Sequence, residues 1–209
     1  MHNLYLFNAY YRGMKAWHLG IVLVLVVFSV NAGHSQKLNY TVYVAGKNVG
    51  KLRAECTKEA NNTIYIRLET RIRLPFKDIV SLIEARYSGN ELVSSSSQKH
   101  INNNLKELIT VTRQQNTYHL VNSSEKVNSY FPAPIDFSVG RLYHFMPQGL
   151  TKIFSERLGA FIPIKETKKD VFELLQPDGK KNTFVYKYGI CTEMQTEMLA
   201  CSVRFQLSE

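Results

Sequence analysis

The stretch IYIRLETRIRL, residues 64–74, decides the fold. Ile64, Ile66, Leu68, Ile72 and Leu74 share one parity, Tyr65, Arg67, Glu69, Arg71 and Arg73 share the other, and only Thr70 departs from the alternation. Successive side chains of a strand point to opposite faces, so this period of two predicts an antiparallel strand with one face buried and one wet. A strand of about 11 residues spans roughly 36 Å, which suits a large curved sheet better than a minor hairpin.

The same pattern extends in both directions. Leu38, Tyr40, Val42 and Val44 alternate with polar neighbours, Gly46-Lys47-Asn48 turns the chain, and Leu52, Ala54 and Cys56 form the next apolar face. Asn61-Asn62, Gly89-Asn90, Asn102-Asn103-Asn104 and Pro177-Asp178-Gly179 are residues that tolerate the backbone of tight turns, and they fall between alternating runs. The closing run carries Leu199, Cys201, Val203, Phe205 and Leu207 on one parity. Two stretches fit helical spacing. Phe76, Ile79, Val80 and Ile83 do so within a segment rich in β-formers, and Ile79–Tyr87 reads better as a strand. In residues 136–147, Val139, Leu142, Tyr143 and Met146 form a helical stripe, with Asp136 placed to cap it and Pro147 to end it. Asn122–Pro134, with its serines and prolines, reads as a loop inside one domain. The expected fold is mainly β: one large antiparallel curved sheet or open barrel of about ten or more strands, with a short helix covering its apolar face.

Leu19–Val30 is an uncharged apolar run preceded by Arg12 and Lys15 and followed by small and polar residues, the layout of a secretion signal. The run is shorter than the ~20 apolar residues of a membrane span. Cleavage fits after Ala32 or after Ser35, and Met14-Lys15 would itself open a compact signal peptide. The expected organisation is a signal peptide over 1–35 and a single β-rich domain over 36–209, located in the periplasm or secreted, with no membrane span after cleavage. Losing Arg12 and Lys15 takes the formal charge of the 209-residue chain from +9 to +7. A basic exported protein could lean on anionic membrane surfaces or polysaccharide, and export removes nucleic acid as a partner, but the remaining basic residues are interleaved with carboxylates rather than massed, which reads as a solvated surface.

Y-x-V-x-x-x-G-x-x-V-G-x-L at Tyr40–Leu52, LYHFMPQGLTKIFSERLGAFIPI at 142–164 and PDGKKNTFVYKYGI at 177–190 occur in that order. Together they resemble an exported bacterial family, domain of unknown function family 6134, similar in its opening hairpin to family 3108. The resemblance implies an exported β-rich protein and brings no activity, cofactor or catalytic residue. Cys191 departs from it, standing where an aliphatic residue is expected.

Within that stretch Ser155, Glu156 and Arg157 lie side by side, which invites a catalytic reading. Ser155 lacks the glycines of a nucleophile elbow, and its base would have to be His100, His119 or His144. The favoured reading makes Ser155, Glu156, Arg157 and Gly159 a structural joint, with Glu156 and Arg157 pairing with each other or with backbone at a strand end and Gly159 permitting the bend. A hydrolase using Ser155 is the lesser alternative. No His, Cys, Asp or Glu group has metal-ligand spacing, no C-x-x-C pair is present, and no glycine-rich phosphate loop opens a helix, so neither metal nor cofactor is expected. By parity Cys56 and Cys201 point inward, and Cys191 points outward if Ile190 points in; free thiols are expected, with a Cys56–Cys201 bridge open only if their strands adjoin.

The function expected is a non-catalytic exported envelope protein that carries an apolar or lipid-like ligand, with a structural or assembly protein contacting an envelope partner as the alternative. Tyr143 and Met146 on the helix, facing Ile66, Leu68, Val203 and Phe205 on the sheet, are the candidate ligand-binding residues.

Overall fold

A computed structural model describes residues 34–132, 134–198 and 201–208. The expected signal segment, its alternative start at Met14 and the Ala32 cleavage point lie outside the described residues. The fourteen strands are β1 (Ser35–Val44), β2 (Lys47–Lys58), β3 (Thr63–Leu74), β4 (Lys77–Ser88), β5 (Glu91–Ile101), β6 (Asn104–Gln114), β7 (Thr117–Asn122) and β8 (Val127–Pro132), then β9 (Lys152–Ser155), β10 (Ala160–Lys168), β11 (Val171–Leu175), β12 (Lys181–Lys187), β13 (Ile190–Met198) and β14 (Cys201–Leu207). They form one antiparallel sheet in the order β8-β7-β6-β5-β4-β3-β2-β1-β14-β13-β12-β11-β10-β9. Each neighbour is the next strand in sequence except where β1 meets β14, pairing Val42 with Phe205 and Tyr40 with Leu207. The two sheet edges, β8 and β9, are therefore consecutive in the chain, and the ladder does not close between them. Instead the Phe131 ring of β8 stacks on the Phe154 ring of β9, with centroids 5.9 Å apart.

The decisive run is β3. Ile64, Ile66 and Leu68 are buried, and Thr70 continues the inward face half-buried beside Leu52 of β2. On the outer face Glu84 accepts from Tyr65 Oη at 2.5 Å and from Arg67 Nη1 at 2.6 Å, while Arg71 Nη2 meets Glu69 at 2.6 Å. Such pairs contribute little stability each, but the two to Glu84 cross from β3 to β4 and favour this register over a slipped one. They also account for basic residues that the sequence left scattered.

Three expectations are corrected. The stripe in 136–147 is not an α-helix: only a five-residue 3-10 turn forms, Val139–Tyr143, and the described residues contain no α-helix. Residues 137 and 138 are held extended by a parallel bridge between Ser138 and Phe154, with Phe154 N–H donating to the Phe137 carbonyl at 3.0 Å, so a helix cannot start at Asp136. A 3-10 turn also aligns residues three apart, which is why the spacing resembled a helix. Asn122–Pro134 is not a plain loop, because β8 lies within it. Cys191 points inward and is fully buried. A bulge pairs Val185 with Glu193 but Tyr186 with Cys191, and the extra residue flips parity, so Cys191 and Met194 both face the core.

One apolar core runs along the whole sheet and includes Leu142 and Tyr143 of the turn. Its tyrosines satisfy their hydroxyls across the interior: Tyr40 donates to the Cys191 carbonyl at 2.7 Å, Tyr186 to that of Leu142 at 2.7 Å, and Tyr118 to that of Leu92 at 2.5 Å. Cys56 and Cys191 are buried free thiols, and burial pushes the Cys191 thiol up to about 12. The Cys201 side chain lies outside the description. Neither Cys56 nor Cys191 should react with a colourimetric disulfide reagent in the folded protein at neutral pH, and both should react once it is unfolded in urea. Fast native labelling of either would contradict the inward register.

Candidate functional site

The Ser155–Gly159 turn joins β9 to β10, with the Ser155 carbonyl accepting from Gly159 N–H at 2.8 Å and Gly159 at φ +63°. Ser155 is buried and Glu156 is 1% exposed. The Glu156 carboxylate turns inward, accepting the Ser138 hydroxyl hydrogen and, at 3.1 Å, the Gly140 N–H. Tyr87 Oη completes the chain by donating to Ser138 Oγ at 2.6 Å. A Cβ at Gly140 would lie 2.8 Å from Glu156 Oε1, so this approach depends on glycine. Burial raises the Glu156 carboxyl above its usual range, against the hydrogen bonds, which favour the charged form. Arg157 does not pair with Glu156. It is exposed, and its Nη2 donates to Gln176 Oε1 at 2.9 Å. Gly159 packs across the seam, where a Cβ would sit 2.3 Å from Leu120 Cδ1 of β7.

Ser138, Glu156 and Tyr87 thus form a hydroxyl–carboxylate–phenol chain in which no member is more than 1% exposed, leaving a substrate no access to a reacting atom. The histidines named as bases stand elsewhere. His119 bonds Asn128 Oδ1 at 2.6 Å and stacks on Tyr130, on the parity opposite to buried Tyr118 and Leu120. His100 is half-buried on β5. His144 lies just past the 3-10 turn with Nδ1 3.1 Å from Gln36 Oε1, and desolvation pushes it down to about 4. Among the described residues no three metal-ligating side chains converge, and no helix is long and apolar enough to cross a membrane.

The candidate ligand residues are packed rather than exposed. Ile66, Leu68, Tyr143, Val203 and Phe205 are at most 6% exposed within one core, and Met146 packs against that core half-buried. Tyr143 fits edge-on against Tyr40 at 5.3 Å and Phe184 at 6.0 Å. Open space lies at the seam instead, in a cleft of about 640 Å³ between the end of β8, the connection after it and the start of β9. Phe131, Phe137, Leu150 and Phe161 provide its apolar walls, while Asp136 and Lys152 add charge. Lys152 Nζ rides 5.1 Å above the Phe161 ring. Sequence reasoning missed this cleft because its walls come from separate short stretches between residues 131 and 161 that only tertiary contact brings together. The signal available is the Phe131-Pro132 segment, with Pro134 beyond it, inside the stretch whose serines and prolines suggest a loop.

An antiparallel sheet whose edges approach without joining defines a barrel-like β-protein. The model of the family described as domain of unknown function DUF6134 matches residues 40–208, and the chain belongs to that family. A crystal structure described as a beta-barrel-like protein of domain of unknown function DUF1849 from Brucella abortus is similar in fold, with a TM-score of 0.53, 12% identity and coverage of 87% of this chain and 98% of that one. No curated protein matches the chain significantly.

The buried groups predict opposed pH effects. His144 has a folded pKa below its ordinary 6.5, so its protonation opposes folding: no stability is lost above 6.5, and loss accumulates as pH falls to about 4. At ~1.4 kcal/mol per unit the ceiling is about 3 kcal/mol. Glu156 acts oppositely, because its raised folded pKa means that stability falls as pH rises above 4.5. In urea unfolding, His144→Gln should therefore show a shallower acid loss than wild type between pH 6.5 and 4. Glu156→Gln should gain on wild type as pH rises from 4.5. Curves parallel to wild type would contradict these roles.

Proposed function

We propose that the protein is a non-catalytic exported envelope protein that binds an apolar or lipid-like molecule, and that the ligand sits in the seam cleft. The observation that carries this reading is the cleft itself. At about 640 Å³ it falls within the ~300–1,000 Å³ of small-molecule sites, and it combines aromatic walls with few charges. Tyr143, Ile66, Leu68, Val203 and Phe205 form the packed core behind it rather than the contact surface. Met146, half-buried, is the member of that set nearest to solvent.

A fluorescent polyene fatty acid should bind saturably to wild type. Phe161, 38% exposed at the cleft, carries apolar area whose loss in Phe161→Ala should weaken binding about tenfold, or ~1.4 kcal/mol. Tyr143→Ala should act on stability, lowering it by about 3–5 kcal/mol in urea titration through the cavity left behind. Absence of saturable binding to wild type removes the carrier reading.

A structural or assembly role is the second reading, favoured by the free outer edge of β8. Its unpaired backbone groups could take a strand from an envelope protein. Export underlies both readings. Protein recovered from the envelope compartment of its own cells should begin at Gly33 or Gln36, matching the two cleavage points. A chain still beginning at Met1 or Met14 by N-terminal sequencing would overturn export with cleavage.

A further inference from the structure

Residues 74–83, LPFKDIVSLI, break the alternation that governs the rest of β3 and β4. The stretch runs from the end of β3 through the Pro75-Phe76 turn into β4. Ile79 keeps the inward parity, pairing with Ile72 of β3 and Ile101 of β5, while Val80 and Leu82 stand on the outer side opposite Arg71 and Glu69. Leu105 of β6 extends that outer row, opposite His100, which pairs with Val80. A strand apolar on both faces is ordinarily covered on both. Here the cover is missing. Leu74, Ile79, Val80 and Leu82 are only half-buried, Leu105 is 51% exposed, and Phe76 at the turn is 95% exposed. Ile72 and Ile83 still pack against the core, whereas Leu74, Ile79 and Ile101 form no part of it.

The β3–β4 and β5–β6 hairpin ends are fastened to each other. Asn102 N–H donates to the Asp78 carbonyl at 2.8 Å, and Asp78 N–H donates to Asn102 Oδ1 at 2.8 Å, so backbone groups at the tips are satisfied within the sheet. Cations surround them. Residues 71–79 and 99–107 carry five lysines and arginines against two carboxylates, Asp78 and Glu107. Glu107 is taken by Lys99. Arg73, Lys77 and Lys106 are exposed, and none of the ion pairs among the described residues includes them. This end of the sheet therefore departs from the interleaved charge of the rest of the chain.

We propose that these two hairpin ends dock the protein on an anionic lipid surface, with Phe76 entering the boundary between headgroups and acyl chains and Arg73, Lys77 and Lys106 meeting the lipid charges. Apolar area combined with attraction to anionic lipid is the pair of signals that gives reversible surface binding. A folded partner or a second copy would cover one face of a single sheet layer and leave the other bare, whereas lipid surrounds the tip on both. The chain from Phe76 down to Val80 spans about 13 Å, so a ring seated ~5–10 Å deep leaves Val80 and Leu105 near headgroup level. Lysine and arginine stems lie along apolar surface while their charges stay in the headgroups. The inference goes beyond the cleft reading and stands without it, because none of the residues lining the cleft belongs to these hairpins.

Trp17 is the one tryptophan of the chain, so Phe76→Trp combined with Trp17→Phe places a single indole at the tip. Vesicles of phosphatidylglycerol and phosphatidylcholine in equal parts, brominated along their acyl chains, should shift its emission to the blue and quench it saturably. Vesicles of phosphatidylcholine alone should bind at least tenfold more weakly, and adding Arg73→Gln and Lys77→Gln should weaken binding to the anionic vesicles about tenfold. Tyr188→Trp with Trp17→Phe is the control: Tyr188 is 93% exposed in the β12–β13 turn, at the opposite end of the strands, and its replacement should stay unquenched. Unchanged emission at position 76 with anionic vesicles overturns the proposal, as does equal quenching at both positions, which would place the attachment elsewhere. A concentration-dependent dimer with no vesicle response overturns it in favour of a second copy as the cover.

Discussion

A carboxylate with no cation beside it fixes the segment on which the interior depends. Glu156 is buried, and desolvation of a carboxyl is costly unless hydrogen bonds replace the lost water. The Ser138 hydroxyl and the Gly140 N–H supply them, and Gly140 is a residue that leaves room for the approach. Through Ser138 the carboxylate reaches Tyr87 of β4. The same segment is tied by its backbone to β5, where Leu92 N–H donates to the Ile135 carbonyl at 2.9 Å, and to β9 through Phe154. Residues 135–140 therefore link β4, β5 and β9, and the 3-10 turn that follows carries Leu142 and Tyr143 into the core.

The sheet depends on a different constraint. Every ladder except β1–β14 joins strands adjacent in sequence, so most pairings follow from local turns whose closure entropy is small. The β1–β14 ladder spans nearly the whole described chain and brings the two halves together in mid-sheet. It is also where the Tyr40 hydroxyl reaches across to Cys191. Removing inward-facing apolar residues from β14 should thus cost more than their area alone indicates, because the sheet halves share no other ladder.

Parity made most of this legible. Alternation in β1, β2 and β3, and at Val203 and Phe205 of β14, gave the buried face, and Asn and Gly pairs marked the hairpins, because both signals are local and the period of two is strict. What failed was non-local. Cys191 faces inward because Ile190, from which its parity is counted, is only half-buried at the start of β13, and the bulge that follows is a property of a strand pair and leaves no mark on one strand's alternation. The expected helix became a 3-10 turn because Phe154, distant in sequence, holds its first residues extended. For Ser155–Gly159, composition indicated a joint but not Ser138 as the partner of Glu156, since a carboxylate aimed inward looks the same in sequence as one aimed at water. The cleft was invisible for the same reason: Phe131, Phe137 and Phe161 meet only when the edges do.

The unclosed seam is the place among the described strands where the sheet can part without separating hydrogen-bonded neighbours. Tyr118, Phe131, Phe154 and Phe161 form a run of ring contacts at 5.6, 5.9 and 5.6 Å that crosses from β7 over the seam to β10. Widening the gap between β8 and β9 breaks the Phe131–Phe154 stack, worth about 0.5–1.5 kcal/mol beyond its buried area, and disrupts no strand ladder between them. Opening anywhere else would separate hydrogen-bonded strands. The connection stays anchored during such a motion, because Glu156 holds Ser138 and Gly140 from the β9 side. β8 is the freer edge, paired on one side with β7 and meeting β9 through side chains alone. Parting Phe131 from Phe154 would uncover a buried core ring while leaving every strand ladder paired.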